Sequence, residues 1–129
     1  MRLRLNVAVS LVAISAIAWG FHFAFAQERR RTHQYLQEMC QELNKQFFQN
    51  TLPNTWIEWA DLDADAGRTI WDGDDDTFII QVDRRANFWS EDELRDSVQH
   101  EVCHVATWKK DQDAHGPSWV ACMSRIQTH

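Results

Sequence analysis

Apolar residues recur at helical spacing in two stretches of the chain and alternate with polar ones in three short stretches between them. Over residues 32–49, Leu36, Met39, Cys40, Leu43 and Phe47 fall at steps of three and four, which predicts an amphipathic helix. The segment 50–54, with Pro53, ends it. Strands are predicted at 56–59, 69–71 and 77–82, the last two joined by an Asp72-Gly73 turn whose acidic extension, Asp74-Asp75-Asp76, forms a hairpin tip. Phe88 and Trp89 then lead into a second helical stretch carrying Leu94, Val98, Val102 and Val105. Its start is marked by Ser90 with Glu93 three residues on, the pattern of a capping box, and by Glu91 and Asp92 at the positive end of the helix dipole. Lys109 and Lys110 follow its end, and Pro117 at a first helical position predicts a closing helix over 117–126. Helix, small three-stranded sheet, helix, helix is an α+β order. The tryptophans Trp56, Trp59, Trp71, Trp89, Trp108 and Trp119 read most simply as core.

Ahead of this pattern lies a different one. Arg2 and Arg4 precede an apolar run over 7–19, Gly20 interrupts it, and Ala24 and Ala26 place small residues at the positions of a cleavage site before Gln27. That is the architecture of a signal peptide. The stretch 7–26 is also long enough to span a bilayer, and Arg29, Arg30 and Arg31 just after it favour an uncleaved anchor with that flank in the cytoplasm. Both readings stand: residues 1–26 are a signal peptide or a membrane anchor, so the protein is expected to be exported or membrane-anchored, the alternative being an anchor with the domain facing the cytoplasm. Residues 27–129 then form one domain of about a hundred residues, enough for a single core. The cysteines Cys40, Cys103 and Cys122 are odd in number and have no framework spacing, so at most one disulfide forms. Cys103 reads as a core-packing residue.

The chemistry lies in the second helix. His100-Glu101-Val102-Cys103-His104 reads H-E-x-x-H, and two histidines four apart share one helical face, so both imidazoles can reach one metal ion while Glu101 projects beside them toward a metal-bound water. A catalytic zinc takes a third protein ligand. The glycine and histidine of a metzincin motif are replaced by Thr107 and Lys110, and no glutamate follows Glu101, which removes the thermolysin-like arrangement. Asp111, Asp113, His115 and His129 remain. His115 is the best placed, since ten residues separate it from His104 and let the chain turn back, with Gly116 freeing the backbone for the turn.

The run HEVCH, ten residues, then His115-Gly116-Pro117 and the aromatic Trp119, resembles the SprT-like (Spartan-like) zinc metalloproteases. Upstream, Phe47-Phe48, Leu52-Pro53, the Trp56-Ile57-Glu58-Trp59 strand and Ala66-Gly67-Arg68-Thr69 resemble the N-terminal half of that family, so the likeness covers roughly residues 33–127. It implies a compact zincin-like domain, Zn2+ held by His100, His104 and His115, Glu101 as catalytic acid/base, and a protein or peptide substrate cut by a zinc-activated water. Two departures stand out: many relatives carry a zinc ribbon or other extension after the protease domain, and they are generally intracellular, whereas this chain stops at His129 and opens with an apolar leader.

The competing class is a non-catalytic, zinc-stabilised protein-binding module in which the histidines staple the last two helices; Glu101 argues against it, because a structural site needs no carboxylate there. A zinc hydrolase of non-peptide bonds is a third reading, opposed by the family resemblance alone. For the oxyanion, Tyr35 and Arg125 have suitable chemistry, and nothing in the sequence favours either. Spartan relatives act on proteins crosslinked to DNA, but the net charge here is −6, and Arg29 to Arg31 form the one basic cluster. Nucleic acid is therefore disfavoured as a partner. Asp61, Asp63 and Asp65 mimic the start of a calcium loop, but Gly67 falls one place late and Asp72 stands where a glutamate belongs, so the segment reads as a solvated turn. Membrane contact is expected only through 7–26, and no sequence feature sets an oligomeric state.

Overall fold

The computed structural model describes residues 32–127. The leader, its cleavage site, Arg29 to Arg31 and His129 lie outside the described residues. Helix α1 spans His33–Phe48, strands β1, β2 and β3 span Thr55–Ala60, Gly67–Asp72 and Thr77–Asp83, helix α2 spans Glu91–Ala106, and helix α3 spans Pro117–Gln127. A 3-10 turn at Arg84–Phe88 precedes α2, where the sequence suggested only a lead-in. It forms because the buried Asp83 carboxylate turns the chain: it accepts from Arg85 N at 2.8 Å, Arg85 Nε at 2.6 Å and, across the fold, Leu62 N at 2.9 Å. The hydrogen bond from the Arg85 side chain, ahead of the backbone bonds, holds that carboxyl down at about 2.

Strand order is β1-β3-β2, with β1 parallel and β2 antiparallel to β3. The most buried strand is thus the central one. Alternation along each strand sorts side chains between two faces. Ile57 pairs with Ile80 and Trp59 with Val82 across β1 and β3, while Thr69 pairs with Ile80 and Gly67 with Val82 across β2 and β3. This face meets α1 and α2: Leu36, Met39 and Leu43, then Leu94, Val98, Val102 and Val105, share one buried cluster with Ile57, Ile80 and Val82. The other face carries the rows Trp56, Ile79, Ile70 and Glu58, Gln81, Arg68. Gln81 links the second row, donating from Nε2 to Glu58 Oε1 at 2.8 Å and accepting from Arg68 Nε at 2.7 Å.

That second face corrects the reading of the tryptophans. Trp59 alone among the six is buried; Trp56, Trp71 and Trp108 are exposed and Trp89 and Trp119 half-buried. Trp56 alternates to the outer face, and Trp71 sits on an edge strand, where the Lys109 ammonium lies 4.4 Å from its ring centre. Trp108 follows the end of α2 and meets Phe78 edge-on at 5.4 Å.

Helix boundaries follow the local chemistry. Thr32 caps α1, and Gln49 and Asn50 end it with left-handed backbone at φ 55° and 60°. Ser90 and Glu93 form the expected capping box on α2. Helix α3 docks on α2 through a small second cluster of Cys103, Cys122, Met123 and Ile126. Cys103 is not simply a packing residue: it is bonded to Cys122, leaving Cys40 as the free, buried thiol, which burial pushes up to about 11. The aspartates Asp61, Asp63 and Asp65 are exposed, and Asp61 pairs with Arg84 at 3.2 Å, as a solvated turn would have it.

Candidate metal centre

On α2, His100 and His104 stand one turn apart on a face that the sheet leaves open. After Ala106 the chain reverses through Lys109, whose φ is 57°, and runs back over residues 107–116 without regular structure. Its carboxylates shape this return. Asp113 Oδ1 accepts from His115 N at 2.9 Å, and Asp111 Oδ2 accepts from Ser118 N at 2.8 Å in the first turn of α3. Asp111 and Asp113, weighed in the sequence as ligands, are thereby used as turn and cap. Gly116 is needed for a different reason from the one expected. Its φ is not positive; instead a Cβ there would lie 2.7 Å from Asp111 Cβ, so glycine is what lets the cap close.

The result is a triangle of ring nitrogens. His100 Nε2 lies 3.2 Å from His104 Nε2 and 3.2 Å from His115 Nε2, and His104 Nε2 lies 3.1 Å from His115 Nε2. A tetrahedral zinc with bonds of about 2.0–2.1 Å sets its ligand nitrogens about 3.3–3.4 Å apart, so this triangle fits one such ion with a fourth direction left for water or substrate. In the tautomer with the proton on Nδ1, all three Nε2 atoms would present lone pairs to a cation between them. Desolvation by burial, then the neighbouring His115, lower the His100 imidazole from its usual value. His104 is lowered to about 4 by burial and by the other two histidines, against a hydrogen bond to the Ala114 backbone. Both shifts favour the neutral ring, the form that binds metal. Among the described residues this is the one group of histidine, cysteine or carboxylate side chains whose ligand atoms converge so closely.

A wall of tryptophan supports the triangle. Trp119 donates from Nε1 to the His100 backbone carbonyl at 3.3 Å, and its ring lies 4.7, 5.6 and 4.5 Å from those of His100, His104 and His115, stacked on His104.

Glu101 is 5% exposed and faces the sheet, not solvent. The inward face of β2 receives it: Thr69 Oγ1 donates to Glu101 Oε2 at 2.8 Å and lies 3.2 Å from the Glu101 carbonyl oxygen. Two residues earlier on the same face, a Cβ on Gly67 would stand 3.0 Å from both Glu101 Cγ and Oε1. Burial raises the carboxyl to about 7, opposed by the Thr69 hydrogen bond and assisted by the charge of Asp65. Glu101 and His100 line a cleft of about 620 Å³ with Gly67, Ala66, Trp89 and Met123, and Asp65, Glu93 and Asp96 also border it.

Sequence reading missed Gly67 and Thr69 as site residues, although strand alternation put both on the face of Ile80 and Val82. It also missed the Cys103–Cys122 pairing. The two oxyanion candidates do not line this cleft: Tyr35 packs against the main core, and the Arg125 guanidinium sits 4.9 Å from the Phe48 ring.

Compared with protein families, the chain matches the SprT-like family over residues 36–129. Neither the curated proteins nor the solved structures compared with it include a match. A match that takes in the sheet, the H-E-x-x-H helix and His115 covers most of the molecule, and the chain belongs to the SprT-like family.

Proposed function

We propose that this chain is a zinc-dependent endopeptidase of zincin-like H-E-x-x-H arrangement, with His100, His104 and His115 holding the ion and Glu101 acting as general base. One observation carries this reading: three Nε2 atoms lie within 3.1–3.2 Å of one another, and the first of these histidines, His100, lines one cleft together with the buried carboxylate next to it in sequence. Zinc held by His100, His104 and His115 would supply Lewis acidity to the scissile carbonyl and to the attacking water. Glu101 takes the water's proton and returns it to the leaving amine, and a carboxyl raised by burial holds that proton better than an exposed one. Thr69 fixes the carboxylate's rotation, and Gly67 keeps β2 clear of it. Trp119 packs against all three rings and restricts their rotation. The substrate is a protein or peptide segment lying in the cleft.

For the compartment, the Cys103–Cys122 bond supports export, or an anchor with the domain outside the cytoplasm, because disulfides persist in oxidising compartments. Within this reading residues 1–26 are the leader and 27–129 the protease domain. Among the described residues no helix is long and apolar enough to cross a membrane.

The test is metal analysis with casein hydrolysis. The purified domain is expected to bind one zinc, and alanine at His100, His104 or His115 to lower stoichiometry or affinity. Glu101→Gln should keep the zinc and lose on the order of 100-fold or more in cleavage. Full metal affinity in His115→Ala overturns the ligand set. A zinc-binding protein that cuts nothing, with or without Glu101, is instead the stapled binding module.

A further inference from the structure

We propose that Cys103 and Cys122 are positioning residues of the metal centre, their bond presetting His115 against His100 and His104 before any metal arrives. The inference rests on the zinc reading above for its purpose, but its structural half stands on the fold alone.

His115 is the ligand that regular structure does not place. His100 and His104 are fixed by α2, whose Val98, Val102 and Val105 are buried in the main core. His115 is exposed and sits at the end of the irregular segment 107–116, so its position depends on where α3 is docked. That docking rests on the second buried cluster, Cys103, Cys122, Met123 and Ile126, with Phe47, Phe48, Ala106 and Trp119 packed against it, and two of its four buried residues are the bonded pair. The bond is placed to matter: Cys103 immediately precedes His104, Cys122 lies in the middle of α3, and the covalent loop between them contains both His104 and His115.

A cross-link over a loop of this size removes open conformations, and the chain-entropy account makes that constraint worth on the order of 100-fold in the ratio of docked to undocked states. Without it, part of the metal's binding energy is spent ordering residues 107–127. A ligand that binds a fractionally populated competent state binds more weakly by that fraction. Cys103 is 0% and Cys122 7% exposed, and Cys122 borders a second cleft with Phe48, Lys110 and Arg125 that none of the three histidines lines. Reduction delivers two electrons and two protons to the bond and leaves two thiols; with a water-soluble phosphine the phosphine becomes its oxide and water supplies the oxygen and the protons.

The experiment compares oxidised protein, phosphine-reduced protein and the double variant Cys103→Ala/Cys122→Ala. Zinc affinity is read by competition with a chromophoric chelator, and backbone hydrogen exchange is read on the metal-free forms. Reduction and the double variant are each expected to weaken zinc binding about 10- to 100-fold and to raise exchange over 107–127 while α1 and the sheet keep their protection. Equal zinc affinity in all three forms, or equal exchange over 107–127, overturns the proposal. So does loss of protection throughout the domain, which makes the bond a global staple. If no form binds zinc, the zinc reading fails by itself and the exchange result alone decides whether the bond positions His115.

Discussion

The Thr69 hydroxyl, on an edge strand, donates to Glu101 Oε2 at 2.8 Å and so ties the carboxylate to the sheet. Residues 32 apart in sequence meet because strand alternation turns Thr69 inward just where α2 crosses β2. Thr69→Val keeps the shape and removes the donor. A hydrogen bond to a charged group is worth about 1.5–3 kcal/mol, so kcat is expected to fall about 10- to 100-fold with zinc content unchanged. Wild-type kcat in Thr69→Val would show that Glu101 needs no such anchor.

Gly67→Ala tests the same wall by crowding. The new methyl meets the Glu101 side chain at 3.0 Å and the Gln81 carbonyl oxygen, which is backbone and cannot yield easily, at 3.3 Å. The carboxylate has to move. Activity should drop at least as far as in Thr69→Val, while circular dichroism and zinc stoichiometry stay those of the wild type. An active Gly67→Ala enzyme would mean that the carboxylate has slack.

Trp119 packs against all three histidines, and its removal tests what that packing does. Replacing a group that orients metal-bound histidines typically lowers metal affinity about 10- to 100-fold, and Trp119→Leu removes both the hydrogen bond to the His100 carbonyl and the ring packed on three imidazoles. Chelator competition should show that loss. Unchanged affinity assigns Trp119 to packing alone.

How much of this was legible in the sequence follows from how local each cause is. The helices, their caps and the three converging histidines rest on spacings within a few residues or on a turn, and Leu36, Leu43, Leu94, Val98 and Val102 are buried as their periodicity required. The central place of β3, the inward pair Gly67 and Thr69, and the Cys103–Cys122 bond depend on which segments meet across the fold, and a period-two pattern gives the faces without naming the neighbour. Trp56 and Trp71 misled for a related reason: size favours burial, but alternation and an edge position exposed them. Gly116 was identified for the wrong cause, since a close approach to Asp111 is invisible until α3 is in place.

The buried Glu101 should also leave a mark on stability in the metal-free protein. Its carboxyl is raised to about 7 in the fold, while in the unfolded chain it titrates at an ordinary value of about 4.3. Above the unfolded value the unfolded state ionises freely and the folded state resists, so this group's contribution falls as pH rises and is fully lost above about 7. Glu101→Gln removes the conflict. With chelator present, urea unfolding should show the variant gaining on wild type from about pH 5 to pH 8, by up to about 2–3 kcal/mol. His100 and His104, lowered by burial, act in the opposite sense: their contribution is present above an ordinary histidine value and lost as pH falls through their depressed ones, in both proteins alike. A gap between variant and wild type that does not change with pH would place the Glu101 carboxyl in solvent.

Charge around the cleft bears on which substrates it accepts. Asp65, Glu93 and Asp96 border the cleft that holds His100 and Glu101, and Asp65 is close enough to raise the Glu101 carboxyl. All three are exposed, so their pull is screened and salt-dependent. In a matched peptide series, substrates with lysine or arginine beside the scissile bond should be cut faster than those with glutamate, by several-fold at low salt, the difference shrinking as salt rises past about 0.15 M, where the screening length is about 8 Å. Asp96→Lys should narrow the same difference. The chain's net charge of −6 works against phosphate backbones in the same way. Duplex and single-stranded DNA are expected to bind no tighter than the roughly 0.1 mM to 1 µM of non-specific association at physiological salt. A preference for acidic peptides would show that the aspartates face away from the bound chain, and sub-micromolar DNA binding would return a nucleic-acid-linked substrate to the proposal.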